Sequence, residues 1–249
     1  MRTKSILAAV LLAGTALAAT TPANATLVLS DLVFRDLGGT GFGVAPRLLT
    51  LQNNVFESGG TVAGVNGATI ITGPDATNQS NVFSVGALGW TSGASVGIGL
   101  DTNEIGSTEG LTFNTLVLTL YNSAGVALGS FSGNGPVFID QALLSAQQGN
   151  GNSVFDIRLD AAQQAQYDAI INNPANGGVN NIFEGLSASF GCVVVASGCG
   201  PSSDGADSFL AFVVPGPIVG AGIPGLVSAA FGMLGFNWHR RRRNGMRAA

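Results

Sequence analysis

The chain reads as a mainly β protein, an antiparallel β-sandwich of Ig-like or cohesin-like type with one or two short helices and an apolar C-terminal helix. Three observations predict this. About ten short runs alternate apolar and polar residues, with Gly, Asn, Pro and Ser between them. Glycine is heavy, at 37 residues, but no fixed repeat period appears, which argues against a solenoid. Hydrophobic residues make up 46% of the chain, enough for a packed core and too many for a disordered one.

The elements follow in chain order. Thr26 to Phe34 alternates as a first strand, and Gly38-Gly39-Thr40-Gly41-Phe42-Gly43 forms a loop. Arg47 to Gln52 and Ala68 to Thr72 are short strands, the second closed by the turn Gly73-Pro74-Asp75. Asn81 to Leu88 and Ala94 to Asp101 follow. Leu111 to Tyr121 is the clearest strand, with Leu116, Leu118 and Leu120 on one face and Thr115, Val117, Thr119 and Tyr121 on the other. Asn122-Ser123-Ala124-Gly125 turns it into Val126 to Phe131, a hairpin. Asp140 caps a helix over Gln141 to Gln148, and Asp160 caps another over Ala161 to Asn172, ended by Asn173-Pro174. Between them, Ser153 to Leu159 sends Phe155, Ile157 and Leu159 inward and Asp156 and Arg158 outward. Ile182 to Val195 and Ser208 to Val214 close the body as strands.

Both ends carry export features. Arg2 and Lys4 precede an apolar run, Ile6 to Ala18, and Ala23-Asn24-Ala25 supplies small residues at a cleavage site. Residues 1–25 therefore read as a secretory signal peptide, handled by the Sec machinery and signal peptidase, with Ala23 and Ala25 as its cleavage determinants. At the other end, residues 218–238 are apolar or small, and about twenty such residues span the roughly 30 Å hydrocarbon core of a bilayer. Trp238 stands where an interfacial anchor belongs, and Arg240, Arg241, Arg242 and Arg243 form a stop-transfer cluster that stays cytoplasmic. The body, residues 26–213, is thus expected outside the inner membrane.

The tail from Val214 to Ala249 resembles a PEP-CTERM sorting tail. The residues that carry the resemblance are Val214, Pro215, Gly216 and Pro217, then Gly220-Ala221-Gly222-Ile223-Pro224-Gly225, the apolar run and the arginines. Gly216 stands where the family's name-giving motif has glutamate. The resemblance implies sorting by a membrane-embedded, exosortase-type processing enzyme in a Gram-negative envelope. The protein would then be anchored in the inner membrane and, after processing, be periplasmic, surface-bound or extracellular, in contact with extracellular polysaccharide. The body resembles an uncharacterised ectodomain found ahead of such tails, through Leu48-Leu49-Thr50-Leu51-Gln52, Ala76-Thr77-Asn78-Gln79-Ser80, Leu116 to Asn122 and Phe155 to Gln163. That resemblance implies location and architecture, and no activity.

Charge and composition narrow the chemistry. Every one of the 14 acidic residues lies in residues 26–213, offset there only by Arg35, Arg47 and Arg158, so the body carries −11 against −4 for the whole chain. Such a body does not bind nucleic acid through phosphates. It has no Lys, His or Met; the single histidine is His239, in the tail. General acid–base catalysis most often uses histidine, so a non-enzymatic role is expected. Cys192 and Cys199 are the only cysteines, and in an oxidising compartment they are expected to form a short disulfide loop.

Four weaker candidates remain. Gly93-Ala94-Ser95-Val96-Gly97 matches the Gly-x-Ser-x-Gly nucleophile elbow, but a strand follows it and no histidine base is near. Asp101, Asn103, Glu104 and Glu109 place oxygen ligands on one loop, a calcium-type composition whose ordinary reading is a solvated acidic loop. Asp204 and Asp207 form a second acidic pair. Trp90, at a turn, is the one residue placed to stack on a sugar, which would make the body a glycan-binding module. A carboxylate-dependent hydrolase is the third class, and no sequence feature brings its two carboxylates together. No cofactor other than calcium is implied.

Overall fold

A computed structural model describes residues 27–29, 45–103, 110–133, 135–146, 155–192, 200–202 and 205–214. Among these are two antiparallel sheets and two α-helices. In the first sheet the order is β1 (Leu27–Leu29), β9 (Phe155–Leu159), β5 (Val96–Asp101), β11 (Asp207–Val213) and β2 (Arg47–Leu51). In the second the order is β4 (Thr69–Thr72), β3 (Phe56–Ala63), β10 (Ile182–Gly191), β6 (Leu111–Asn122) and β7 (Ala127–Ser132), with β8 (Val137–Ile139) pairing the start of β6. Chain neighbours often change sheets: β2 is followed by β3, β5 by β6, β9 by β10 and β10 by β11.

The registers explain the core. Leu49, Phe209, Leu100 and Phe155 align in one row across the first sheet. Leu186, Leu118 and Phe131 align across the second. All seven are at most 1% exposed and belong to one hydrophobic cluster fed by both sheets. Phe209 of the first sheet stacks on Phe190 of the second at 5.6 Å, and Phe190 stacks on Phe113 at 5.1 Å. Aromatic pairs of this geometry add about 0.5–1.5 kcal/mol beyond their buried area.

The helices are α1 (Gln141–Ala146) and α2 (Ala161–Ile171). Asp160 starts α2 with a capping box: its carboxylate accepts from the Gln163 amide at 2.8 Å, and the Gln163 side chain accepts from the Asp160 amide. Tyr167 then seats the helix. Its ring lies 6.0 Å from Phe131, and its hydroxyl donates to the Trp90 carbonyl at 2.9 Å. Burial pushes the Tyr167 phenol well above its ordinary range.

One expectation needs correction, and two strands were not expected. Residues 81–88 form no strand. They cross the molecule as turns, touching β10 through the Ser84–Phe183 bridge. Gly86 and Gly89 end any alternation there, and Gly89 takes φ +72°. Strand β3 was hidden by its composition, because Phe-Glu-Ser-Gly-Gly-Thr-Val-Ala looks like a loop. Its glycines serve close packing: a Cβ on Gly60 would lie 2.8 Å from the Leu186 carbonyl, and one on Gly59 would lie 2.8 Å from Ala76. Strand β8 is three residues long and was likewise not foreseen. The signal peptide, the 218–238 span and the arginines lie outside the described residues. Among the described residues no helix is long and apolar enough to cross a membrane.

Candidate functional site

A polar grouping sits where β5 ends and β11 begins. Ser208 pairs with Asp101, so the antiparallel register sets Asp207 opposite Thr102. The Asn103 amide donates to the Asp207 carboxylate at 2.8 Å. Asp207 is fully buried and Thr102 is 2% exposed, its hydroxyl without a hydrogen-bond partner among the described residues. Two acidic stretches that are about 100 residues apart in sequence thus meet, Asp101 and Asn103 from one and Asp207 from the other. Glu104, Glu109 and Asp204 lie outside the described residues. Among the described residues, no three His, Cys, Asp or Glu side chains converge as a metal site. Burial raises the Asp101 carboxyl to about 7, with Arg47 pulling the other way, so near neutral pH it is partly protonated. A partly neutral carboxyl is a weaker cation ligand than a free carboxylate.

A second carboxyl was not foreseen. Glu184 lies on β10 in the inward row with Ile182, Leu186, Ala188 and Phe190, and is fully buried. Its Oε1 accepts from the Phe83 amide at 2.9 Å, while its own amide donates to the Phe83 carbonyl at 3.1 Å. Both ends of Glu184 therefore grip one residue of the crossing segment. Its other oxygen, Oε2, is buried without a hydrogen-bond partner among the described residues. Burial raises its pKa to about 8, against the lowering effect of the Phe83 amide, so the group is mainly a neutral acid at pH 7. The strand's alternation placed Glu184 on the core face and was the signal for it.

The Gly-x-Ser-x-Gly match has a packing explanation at each fixed position. Gly93 opens a 3-10 turn, and a Cβ there would lie 2.5 Å from the Gln164 backbone of α2. The Gly93 amide donates to Asp168 on that helix at 2.7 Å. The Ser95 hydroxyl donates to the Ser92 carbonyl at 2.7 Å and accepts from the Ser92 amide at 3.0 Å. A Cβ on Gly97 would collide with the Phe212 ring. The motif is the seat on which α2 docks, and Ser95, 7% exposed, is the third residue of its turn and bonds back to the N-cap, Ser92.

Trp90 is not a sugar platform. It is fully buried, and its indole nitrogen donates to the Phe212 carbonyl at 2.9 Å. The sequence around it is turn-like, but the indole is held against β11, and Tyr167 of α2 donates to the Trp90 backbone carbonyl. Cys192 is 6% exposed, and no described cysteine is a free thiol; Cys199 lies outside the described residues. Val55 joins the two flanks of that segment. Its carbonyl accepts from the Cys192 amide at 3.0 Å and the Ser202 amide at 3.2 Å, and its own amide donates to the Ser202 carbonyl at 2.8 Å. Val55 does so at φ 74°, a left-handed conformation that is costly for a β-branched residue.

Another carboxylate, Asp75, closes a turn beside β3. It accepts from the Ser58 amide at 2.7 Å and the Asn53 side-chain amide at 2.6 Å, which makes it a structural clasp. No family model matches the chain, and neither a curated protein nor a solved structure matches it.

Proposed function

We propose that the chain is an exported, non-enzymatic surface or matrix-associated protein. The observation that carries this reading is the pair of targeting ends: a basic, apolar, Ala-Asn-Ala leader at residues 1–25, and Val214 to Pro217 followed by an apolar run and Arg240 to Arg243. The two agree on topology, with the body outside and the arginines inside. An exosortase-type enzyme would process the tail. The Cys192–Cys199 pairing belongs to the same reading, because an exported chain meets an oxidising compartment.

The body would serve as a stable, protease-resistant ectodomain. Its two sheets are best read as a sandwich. The order β2-β11-β5-β9 beside β3-β10-β6-β7 supports the double Greek key of a jelly roll over the ABED and CFG sheets of an Ig domain. What supports the non-enzymatic reading is how the candidate groups are used. Ser95 closes a turn, Asp75 clasps a loop, Asp168 anchors α2 and Glu184 holds the crossing segment.

The test is replacement of Arg240 to Arg243 by Ser in the full chain, followed by fractionation. The body is expected to shift from the membrane fraction to the periplasm or medium. Unchanged membrane retention would count against the tail as a stop-transfer and sorting signal.

A further inference from the structure

Residues 82–84 bridge two fixed points of the crossing segment. Before them, the Asn81 amide donates to the Leu48 carbonyl at 3.2 Å; after them, the Val85 amide donates to the Ile182 carbonyl at 2.9 Å. Val85 is fully buried, whereas Val82, Phe83 and Ser84 are each half-buried. Between the anchors the segment touches the second sheet at few points. The Val82 amide donates to the Thr69 hydroxyl at 3.0 Å, and Ser84 forms one isolated bridge with Phe183. Phe83 adds its two bonds to Glu184, the amide to Oε1 at 2.9 Å and the carbonyl from the Glu184 amide at 3.1 Å.

We propose that residues 82–84 are a proton-controlled flap, shut while Glu184 is protonated and opened to water when that carboxyl ionises. The carboxyl lies in an apolar setting. Leu120 of β6 is opposite it, and Ile182 and Leu186 flank it on the same face of β10, all fully buried. Its Oε2 has no hydrogen-bond partner among the described residues. A buried carboxylate needs donors or a cation, and one backbone amide is a thin substitute for water. The elements packed on β10 supply no compensating charge. β6, the crossing segment 81–90 and the 3-10 turn Val179–Asn181 contain no charged residue. β3 carries Glu57, which pairs with Phe190 further along β10, and β2 carries Arg47, which donates to Gln79 and acts on Asp101. Tyr121 of β6 pairs with Phe183, on the opposite face from Glu184.

Burial raises Glu184 to about 8, against 4.5 for a solvated glutamate. An open flap returns the carboxyl to water, so opening releases a proton between these two values. Opening is therefore rarest below about pH 4.5, grows as pH rises, and levels off above about pH 8. It is a local event, because the Asn81 and Val85 anchors stay in place and the sheets remain paired. The inference concerns the body alone and does not require the export reading.

The test is amide hydrogen exchange on the full-length chain at pH 5 and pH 8, corrected for the intrinsic rate. The probes are the Phe83 and Glu184 amides, whose bonds the opening breaks. The references are the Val85 amide, at the anchor, and the Leu186 amide, which donates to the Thr61 hydroxyl within the sheet. Protection at Phe83 and Glu184 is expected to lie below that of the references and to fall at least roughly tenfold from pH 5 to pH 8. Glu184→Gln, which cannot ionise, should abolish the fall. Equal protection at all four amides would mean that they exchange through one wider unfolding and would overturn the flap. Protection at Phe83 that does not change with pH would overturn it too, as would the same fall in Glu184→Gln. If that variant fails to fold, the comparison of probes with references in the natural chain still decides the matter.

Discussion

The two sheets share a core but treat polar chemistry in opposite ways. On the first, the outward face is polar and nearly inaccessible: Thr50, Ser208 and Asp101 lie in one row, and Asp156 in the next. Thr50, Ser208 and Asp156 are 1%, 6% and 1% exposed. The Thr50 and Ser208 hydroxyls lie 3.2 Å apart, and Asp156 pairs with Arg158 at 2.5 Å. On the second sheet, the outward face is uncharged among the described residues, with hydroxyl pairs Thr115–Ser189 at 2.7 Å and Thr119–Ser130 at 2.9 Å. Among the described residues, Asp156 and Asp207 are buried on the strands of the first sheet, and the charged residues on the strands of the second, Glu57 and Glu184, are buried as well.

The largest expected effect comes from separating the sheets. Phe209→Ala removes the ring that stacks on Phe190 and approaches Phe113 at 6.3 Å, so it opens a cavity where the two sheets meet. A loss of about 3–5 kcal/mol in unfolding free energy is expected from denaturant titration. If the loss were below about 1 kcal/mol, the two sheets would not share one cooperative core.

Glu184 provides an intermediate effect with a definite sign. Its pKa is near 4.5 in the unfolded chain and about 8 when folded, so between these values the folded state holds the extra proton. Its contribution to stability is therefore fullest below about pH 4.5, declines as pH rises, and levels off above about pH 8. Glu184→Gln keeps an acceptor for the Phe83 amide and cannot ionise. It should flatten this decline, and thermal unfolding measured at pH 5, 7 and 9 should show the variant gaining on the natural chain as pH rises. Parallel curves for the two proteins would mean that Glu184 is already ionised when folded.

The smallest effect tests the neutral face. Ser130→Ala removes one half of an exposed hydroxyl pair with Thr119. Exposed cross-strand pairs contribute little, so a change within about 0.5 kcal/mol is expected. A loss several times larger would show that the hydroxyl ladder is part of the fold's stability rather than its surface.

How much of this was legible depends on the range of the interaction. The alternation of Leu116, Leu118 and Leu120, and of Phe155, Ile157 and Leu159, placed β6 and β9 and their inward faces correctly, because burial on one side leaves a period-two trace. Asp160 announced α2 for the same local reason, a cap followed by a good helical run. β3 left no such trace, since its glycines answer to Ala76, Leu186 and Ser187, residues distant in sequence. Trp90 misled because a turn-like backbone does not say which way an indole points. The meeting of Asn103 with Asp207 depends on the β5–β11 register, which no local pattern encodes. The Gly-x-Ser-x-Gly segment was legible as a motif. Its meaning came only with α2 packed against Gly93 and Phe212 against Gly97.

The central claim is that this chain is exported, oxidised and sorted by its ends, with an inert body between. Intact-mass analysis of the protein recovered from its native envelope tests that most directly. The account predicts a chain that begins at Thr26 and is two hydrogens lighter than its reduced form. It also predicts a C-terminus that either ends near Pro215–Pro217 or retains the arginine cluster in the membrane fraction. A mass that includes Met1 through Ala25, or a fully reduced pair of cysteines in envelope-derived material, would contradict it.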